Sequence, residues 1–457
     1  MLWASLGENC LADDVLKRHG LNFLSTPFAS CRSNIGQILQ ADALNYENFL
    51  DKQYLEYGIT TYGAKVVKNV LFCDDSDIFM HNDGFEFTHH DVIENQEHVE
   101  SMHRKVNRMI DLKNDPQDIV FLYHHRRTKN TDLDKIVENL NKFVSNYSSP
   151  STVSKIALFY QRIVEDDSLR RLEVLPANGN VMPFLFHTRQ KWQGADGKVL
   201  FGKVDDDLMT EMFQSIHARI SEEKRRQKYK LKYQEYIEKN GHPTDINSFC
   251  NICGYSFFEF EAYRSRVNAV CPVCGSIERQ RHLFFHLLSL FPFLKGKKML
   301  HFAPEVVIKE VLQGSGVEYY DADLKPGRAT PQVDITNISF PDNYFDFILA
   351  VHVLEHIEAD RSAMADMFRV LKPGGLAVLA VPLTSRALEE PGIKSPEDRL
   401  RIFKHPEHVR NYDFKMFHDR LGEAGFQVTV SDCAAFPAWY RDGYRISNMF
   451  FFARKPV

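Results

Sequence analysis

VDITNISFPDNYFDFILAVHVLEHI (333–357) and RVLKPGGLAVLAVP (369–382) are the two stretches on which the fold of the C-terminal half turns. Each holds a short apolar run bounded by turn residues, at 345–350 and 375–381, and each run reads as a buried strand, with a helical stretch between them. Working outward, 298–302 and 317–321 read as two earlier strands, also separated by a helical stretch. Phe426–Val430 and Asn448–Ala453 close the chain. Strands alternating with helices argue for a parallel sheet covered on both faces. The last two runs are joined by a Pro- and Gly-containing loop without a long helix, which suits an antiparallel hairpin.

Just upstream, Cys250-x-x-Cys253 and Cys271-x-x-Cys274 lie with seventeen residues between the pairs. Two residues between thiolates let a tight turn present both sulfurs to one ion, and two such knuckles complete a tetrahedron. Gly254 and Gly275 follow the second cysteine of each pair, where a backbone free to adopt positive φ closes the knuckle. Four thiolates leave no open position, so the expected metal is structural zinc, which supplies the folding energy a thirty-residue module lacks.

The chain has 457 residues, 44% hydrophobic and 26% charged, which is too long for one ordinary core and too apolar for a disordered chain. A net charge of −5 gives no electrostatic reason to expect nucleic acid as the main partner. The opening MLWASLGENC lacks a secretory pattern, and the greasiest run, 283–294, is too short to span a bilayer and contains His286 and Pro292. Of eight cysteines, four sit in the two pairs and Cys10, Cys31, Cys73 and Cys433 are scattered, which fits a reducing, cytoplasmic setting. In the N-terminal half, helices are expected over 8–19, 35–50, 96–111 and 131–145, with strands at Ile119–Tyr123 and Ile156–Tyr160. A charge-dense stretch, 219–240, reads as a solvated connector helix, and an amphipathic helix is expected at 277–291.

The segments CPVCGSIERQRH (271–282), MLHFAPE (299–305), 333–357 and 369–382, in this order, resemble the zinc-ribbon class of class I S-adenosylmethionine-dependent methyltransferases. That resemblance implies a Rossmann-like sheet with the donor lying beyond the strand tips. It places Ala303 and Glu305 at the first tip, without the usual glycines. Asp323 stands at the second tip as acceptor of the ribose hydroxyls, with Asp321 as the alternative. Asp334 and Ile335 fall at the adenine ring, and His352 at the methionine end. In-line displacement on a sulfonium methyl relies mainly on positioning, and an oxygen acceptor also needs a base. His408, in FKHPEHVRNY (403–412), is the first candidate base and His356 the second; Arg410 and Tyr412 are candidate acceptor contacts, and the loop 384–398 is a candidate lid. His352-x-x-Glu355-His356 is formally an inverted zinc-protease motif, but His352 falls where the strand gives way to the helix.

WASLGENCLADDVLKRHGLNFLSTPFASC (3–31) resembles the opening of a bacterial family named for papain-like cysteine peptidases and of unknown function. The resemblance implies a nucleophile at Cys10, ahead of a helix whose dipole would lower its thiol pKa, and a base at His90 of the His90-Asp91 pair. Asp196 is the only third member that suggests itself, and Ala29-Ser30 depart from the family's Asp-Trp.

The expected organisation is therefore an α/β papain-like domain (1–218), a helical connector (219–246), a zinc ribbon with the start of the following helix (247–282) and a methyltransferase domain (283–457). The expected activity is methylation of a sugar, glycan or small-molecule hydroxyl. The alternatives are a cysteine hydrolase or acyltransferase, and a scaffold with a degenerate cofactor site.

Overall fold

A computed structural model describes residues 1–457 except 22, 61–62, 74–82, 149–151, 193–201 and 325–332; Asp196 lies outside the described residues. The chain forms two compact units, Met1–Ile216 and His217–Val457. Among the described residues no helix is long and apolar enough to cross a membrane.

The first unit is built on a six-stranded sheet in the order Phe23–Leu24, Leu2–Gly7, Ile119–His124, Ser154–Ile163, Val181–Thr188, Arg171–Val174. All neighbours are parallel except the last pair. Leu2–Gly7, Ile119–His124 and Val181–Thr188 are buried along their whole length, as strands covered on both faces must be. Helices Leu11–Arg18, Ile35–Ala43, Gln96–Leu112 and Leu133–Ser145 flank the sequence of strands. The second of these stops seven residues before the sequence pattern suggests. Asn45, Tyr46 and Asn48 take φ values of 48°, 61° and 63°, which no right-handed helix admits.

The second unit carries a six-stranded sheet in the order Glu318–Ala322, Lys298–Phe302, Phe345–Val351, Leu371–Ala380, Met449–Arg454, Gln427–Asp432. The first four strands are parallel, and Met449–Arg454 runs antiparallel to both of its neighbours. The expected parallel sheet with a terminal hairpin is therefore present, although a short helix, Ala438–Tyr444, lies within the connection. The connector begins earlier than its charge density suggests, as the helix Asp206–Asn240. The strand read from the apolar run at 375–381 begins earlier, at Leu371 of Leu371–Ala380, with an irregular register opposite Phe345–Phe347.

The ribbon belongs to this second unit. One ligand atom from each of Cys250, Cys253, Cys271 and Cys274 lies within 4.8 Å of all the others. The Cys250–Cys274 and Cys253–Cys271 sulfur separations are 3.5 and 3.6 Å. A tetrahedron with zinc–sulfur bonds of about 2.3 Å has edges of roughly 3.8 Å, so the four sulfurs fit the ion. Gly254 (φ 81°) and Gly275 (φ 73°) close the knuckles, their N–H groups donating to the Cys250 and Cys271 carbonyls at 2.8 and 2.9 Å. Ribbon residues Ile252, Phe257, Phe260 and Val273 share one core with Leu283, Leu287, Ile308 and Leu349 of the sheet domain. Arg281, fully buried, donates to the carbonyls of Ser276, Ala269, Tyr444 and Arg445 at 2.6–3.0 Å, pinning the ribbon to the C-terminal segment. A Cys271→Ala chain is expected to carry one zinc fewer than wild type by elemental analysis and to melt at lower temperature, because metal binding is folding energy here. An unchanged zinc content would rule the ribbon out as the metal's site.

Candidate active site

In a parallel sheet, ligands gather beyond the carboxyl ends of the strands. Two neighbouring strands of the second unit, Lys298–Phe302 and Phe345–Val351, end side by side with Phe302 opposite Ala350. Each leaves the sheet through a non-glycine residue in the left-handed region: Ala303 at φ 46° and His352 at φ 57°. Each still donates its N–H to the next strand, Ala303 to the Ala322 carbonyl and His352 to that of Ala380, both at 2.8 Å. Left-handed backbone costs an L-residue about 1–2 kcal/mol, and such strain concentrates at functional sites. Ala303 thus adopts, without being glycine, the conformation that a glycine would adopt freely. At His352 the same conformation breaks any helix running from 352 to 356, which removes the zinc-protease geometry.

Glu305 caps the helix Val306–Gln313, so the helix starts two residues after Pro304. Arg279 Nε donates to Glu305 Oε1 at 3.2 Å, while Oε2 is buried without a partner. Burial pushes the Glu305 carboxyl up, against the opposing pull of Arg279 and His352. At the second tip Asp321 is spent in an ion pair with Lys309, whereas Asp323 stands one residue past the strand end, half-buried. Asp334 is exposed and closes its own turn, accepting from Thr336 N and Oγ1 at 2.8 Å; Ile335 is buried in the core with Val333 and Ile338.

Around His352, Nδ1 pairs with Glu355 Oε1 at 3.1 Å and Nε2 accepts from Asn448 Nδ2 at 2.9 Å. Glu355 is almost fully buried, and its Oε2 has no partner. It belongs to the 3₁₀ turn Leu354–His356, not to the α-helix expected there, which begins only at Asp360. His356, His405 and His408 converge, with ring centroids 4.1–5.7 Å apart. Burial holds the His408 imidazole down to about 4. His405 had no role in the sequence reading; the pair His405-x-x-His408 was its only local signal.

Arg410 and Tyr412 do not fit the acceptor contacts expected of them. Arg410 is 3% exposed, and its guanidinium is consumed by the carbonyls of Leu354, Ile357 and Glu358 and by Glu389 Oε1 at 2.8 Å. Tyr412 is fully buried and donates to Asp360 Oδ2 at 2.5 Å. Both fasten the segment 403–412 onto the turn after His352. The stretch 384–398, expected as a lid, is likewise tethered: Leu388–Glu389 pairs with Arg410–Asn411, and Glu389 also binds Arg420.

In the first unit Cys10 is the N-cap of Leu11–Arg18, as expected, yet its thiol is pushed up by burial and by Asp14 and Asp13, the reverse of an activated nucleophile. The charges acting on His90 come from Lys105, His98 and His89, and burial lowers it to about 4. What the sequence reading missed is Glu8, fully buried beside the tip of Leu2–Gly7. It pairs with the buried His125 Nδ1 at 2.7 Å and accepts from Arg126 N at 2.9 Å.

The left-handed exit at position 303 makes a direct prediction. Ala303→Gly relieves about 1–2 kcal/mol of strain and returns about 0.4–1 kcal/mol to unfolded-chain entropy, so its melting temperature should equal or slightly exceed wild type. Ala303→Val, β-branched at positive φ, should melt several degrees lower. The reverse order in a calorimetric scan would show that the exit is not left-handed.

The family of methyltransferase domains matches residues 309–379, and the family described as "Putative papain-like cysteine peptidase (DUF1796)" matches residues 1–159. A Mycolicibacterium smegmatis protein named "Probable S-adenosylmethionine-dependent methyltransferase" is 29% identical over 119 residues, 25% of this chain and 43% of its own length. The "Ubiquinone/menaquinone biosynthesis C-methyltransferase UbiE" of Erwinia tasmaniensis is 48% identical over 44 residues, 10% of this chain and 18% of its own. The chain thus spans less than half the length of these curated relatives. The crystal structure of an S-adenosylmethionine dependent methyltransferase from Mesorhizobium loti is 15% identical, with a TM-score of 0.29, over 38% of this chain and 97% of that one. Sheet order, strand-tip geometry and the two family matches meet in one result: the polypeptide joins a domain of the papain-like cysteine peptidase family to a C-terminal domain of the methyltransferase family.

Proposed function

We propose that the C-terminal domain transfers the methyl group of S-adenosylmethionine to a hydroxyl of a small-molecule or glycan acceptor, with the ribbon zinc holding structure. The observation that carries the reading is the pair of adjacent strand tips, Lys298–Phe302 and Phe345–Val351, each left through a non-glycine residue in the left-handed region. There the Glu305 Oε2 is buried and makes no hydrogen bond, while Arg279 holds Oε1. An unsatisfied buried acceptor costs about 1–3 kcal/mol, and a donor group arriving there would recover it. The donor molecule carries such groups in its ammonium and ribose hydroxyls, and no phosphate that would need a glycine-lined cradle.

The donor, when bound, supplies the electrophilic methyl; the chain supplies position. Asp323 is assigned to the ribose hydroxyls, because Lys309 already neutralises Asp321. Ala303 lets the backbone turn away close to the nucleoside. Asp334 lies on the adenine side, where its Thr336 bonds leave Oδ2 to accept from an amino group. Ile335 is placed beneath it as part of the floor. His352 is fixed between Glu355 and Asn448 at the methionine end. An oxygen acceptor must also lose a proton, and His408 and His356 are the imidazoles nearest to hand. His408 lies against His356 of the turn that follows His352, their ring centroids 4.9 Å apart.

Calorimetric titration of the full chain with S-adenosylmethionine tests the reading. Binding should weaken at least about tenfold in Asp323→Ala, the loss of charge-assisted hydrogen bonds worth roughly 1.5–3 kcal/mol, and stay near wild type in Asp321→Asn. Absence of heat with the wild-type, zinc-replete protein would favour the scaffold alternative.

A further inference from the structure

We propose that His356, His405 and His408 form a second metal site, taking one divalent transition cation through three imidazole nitrogens. One ligand atom from each lies within 4.8 Å of the others, and all three residues are half-buried. The rings come from two segments distant in sequence. His356 ends the turn Leu354–His356, whereas His405 and His408 lie between the helix Pro396–Phe403 and the strand Arg410–Asn411.

These segments are bound together by backbone and side-chain hydrogen bonds. Val409 N donates to the Glu355 carbonyl at 3.0 Å, and Arg410 Nη2 to that of Glu358 at 2.7 Å. A buried arginine spent on the carbonyls of one turn is a costly way to hold a surface loop, and it fixes the three imidazoles before any ion arrives. His356 Nδ1 donates to the Glu407 carbonyl at 3.0 Å, which sets its tautomer and turns Nε2 to the cluster, the outer-shell arrangement common to metal-bound histidine. His405 differs: its Nδ1 accepts from Glu407 N at 3.2 Å, so loading the ion costs that bond, either because Nδ1 binds the ion or because the ring proton moves to Nδ1 when Nε2 does.

The second observation is Glu355. It is 1% exposed, its Oε2 is buried with no partner, and its charge acts on both His405 and His408. Its other oxygen is held by His352 Nδ1 at 3.1 Å, and a cation among the three rings would add the electrostatic partner that Oε2 lacks. Arg264 opposes this at His405, with Glu407 adding to Glu355. Three nitrogen ligands leave at least one open position, unlike the closed four-sulfur ribbon, and imidazole selects zinc, cobalt, iron or nickel over calcium and magnesium. The proposal does not rest on methyl transfer, since the ligands are complete without the donor, and it excludes the base role: imidazoles whose lone pairs hold the cation cannot take an acceptor's proton.

The test uses the full chain with its ribbon zinc in place, titrated with Co²⁺ and followed by visible absorption and elemental analysis. One cobalt per chain should bind beside the retained zinc, with weak ligand-field bands and no sulfur-to-cobalt charge transfer. Affinity should fall at least about tenfold in His405→Ala and be unchanged in His418→Ala, a surface histidine outside the cluster. The proposal is overturned if no cobalt binds, if it displaces zinc with thiolate bands, or if the His405→Ala/His408→Ala double variant binds like wild type. Should those variants fail to fold, the wild-type stoichiometry and spectrum decide alone.

Discussion

Two adjacent parallel strands must both leave the sheet at the same level, and each does so through a left-handed residue that is not glycine. That constraint shapes the C-terminal domain. Ala303 and His352 both take the left-handed region while still donating to the neighbouring strands, so the two chains change direction side by side at the end of the sheet. The strain, about 1–2 kcal/mol at each, is offset by the core beneath: Leu300, Phe302, Ile348 and Ala350 are all buried. Glu305 and Glu355, each one turn past an exit, are thereby held where one oxygen of each finds no partner. Polar groups left unsatisfied at a strand tip call for an explanation, and the proposed donor supplies one.

The zinc ribbon and the Arg410 cage extend the same frame. The ribbon shares its core with the sheet's outer face through Leu283, Leu287 and Leu349. Arg410 and Tyr412 tie the histidine-bearing segment to the turn that follows His352. An Arg410→Lys change would keep the charge but not the planar fork that reaches three carbonyls and Glu389. The conserved charge would therefore not preserve the geometry.

Much of this was legible in the sequence. The strand at 298–302 coincides with its apolar run, since a strand buried on both faces has no alternation to blur its ends. The cysteine knuckles were legible because ligand spacing is a local covalent fact. The beginning of the helix Asp206–Asn240 was missed because charge density, which sets the reading at 219, says nothing about the amphipathic turns from Asp206 to Ile216. Arg410 and Tyr412 read as acceptor contacts because a polar side chain in a loop gives no sign of burial; their partners lie some fifty residues upstream. The convergence of His356 with His405 has the same origin. Cys10 was placed correctly at its helix, but the helix dipole is outweighed by burial and two aspartates in its own first turn.

The account rests on the strand tips at positions 303, 305, 323 and 352 being the donor's seat. Its most direct measurement is a crystal of the full chain grown with S-adenosylhomocysteine. The predicted density has the ribose against Asp323, the amino-acid end beside Glu305 and His352, and the sulfur aimed past His352. Density at any other place on the domain, with these tips covered by the protein's own side chains, would contradict it.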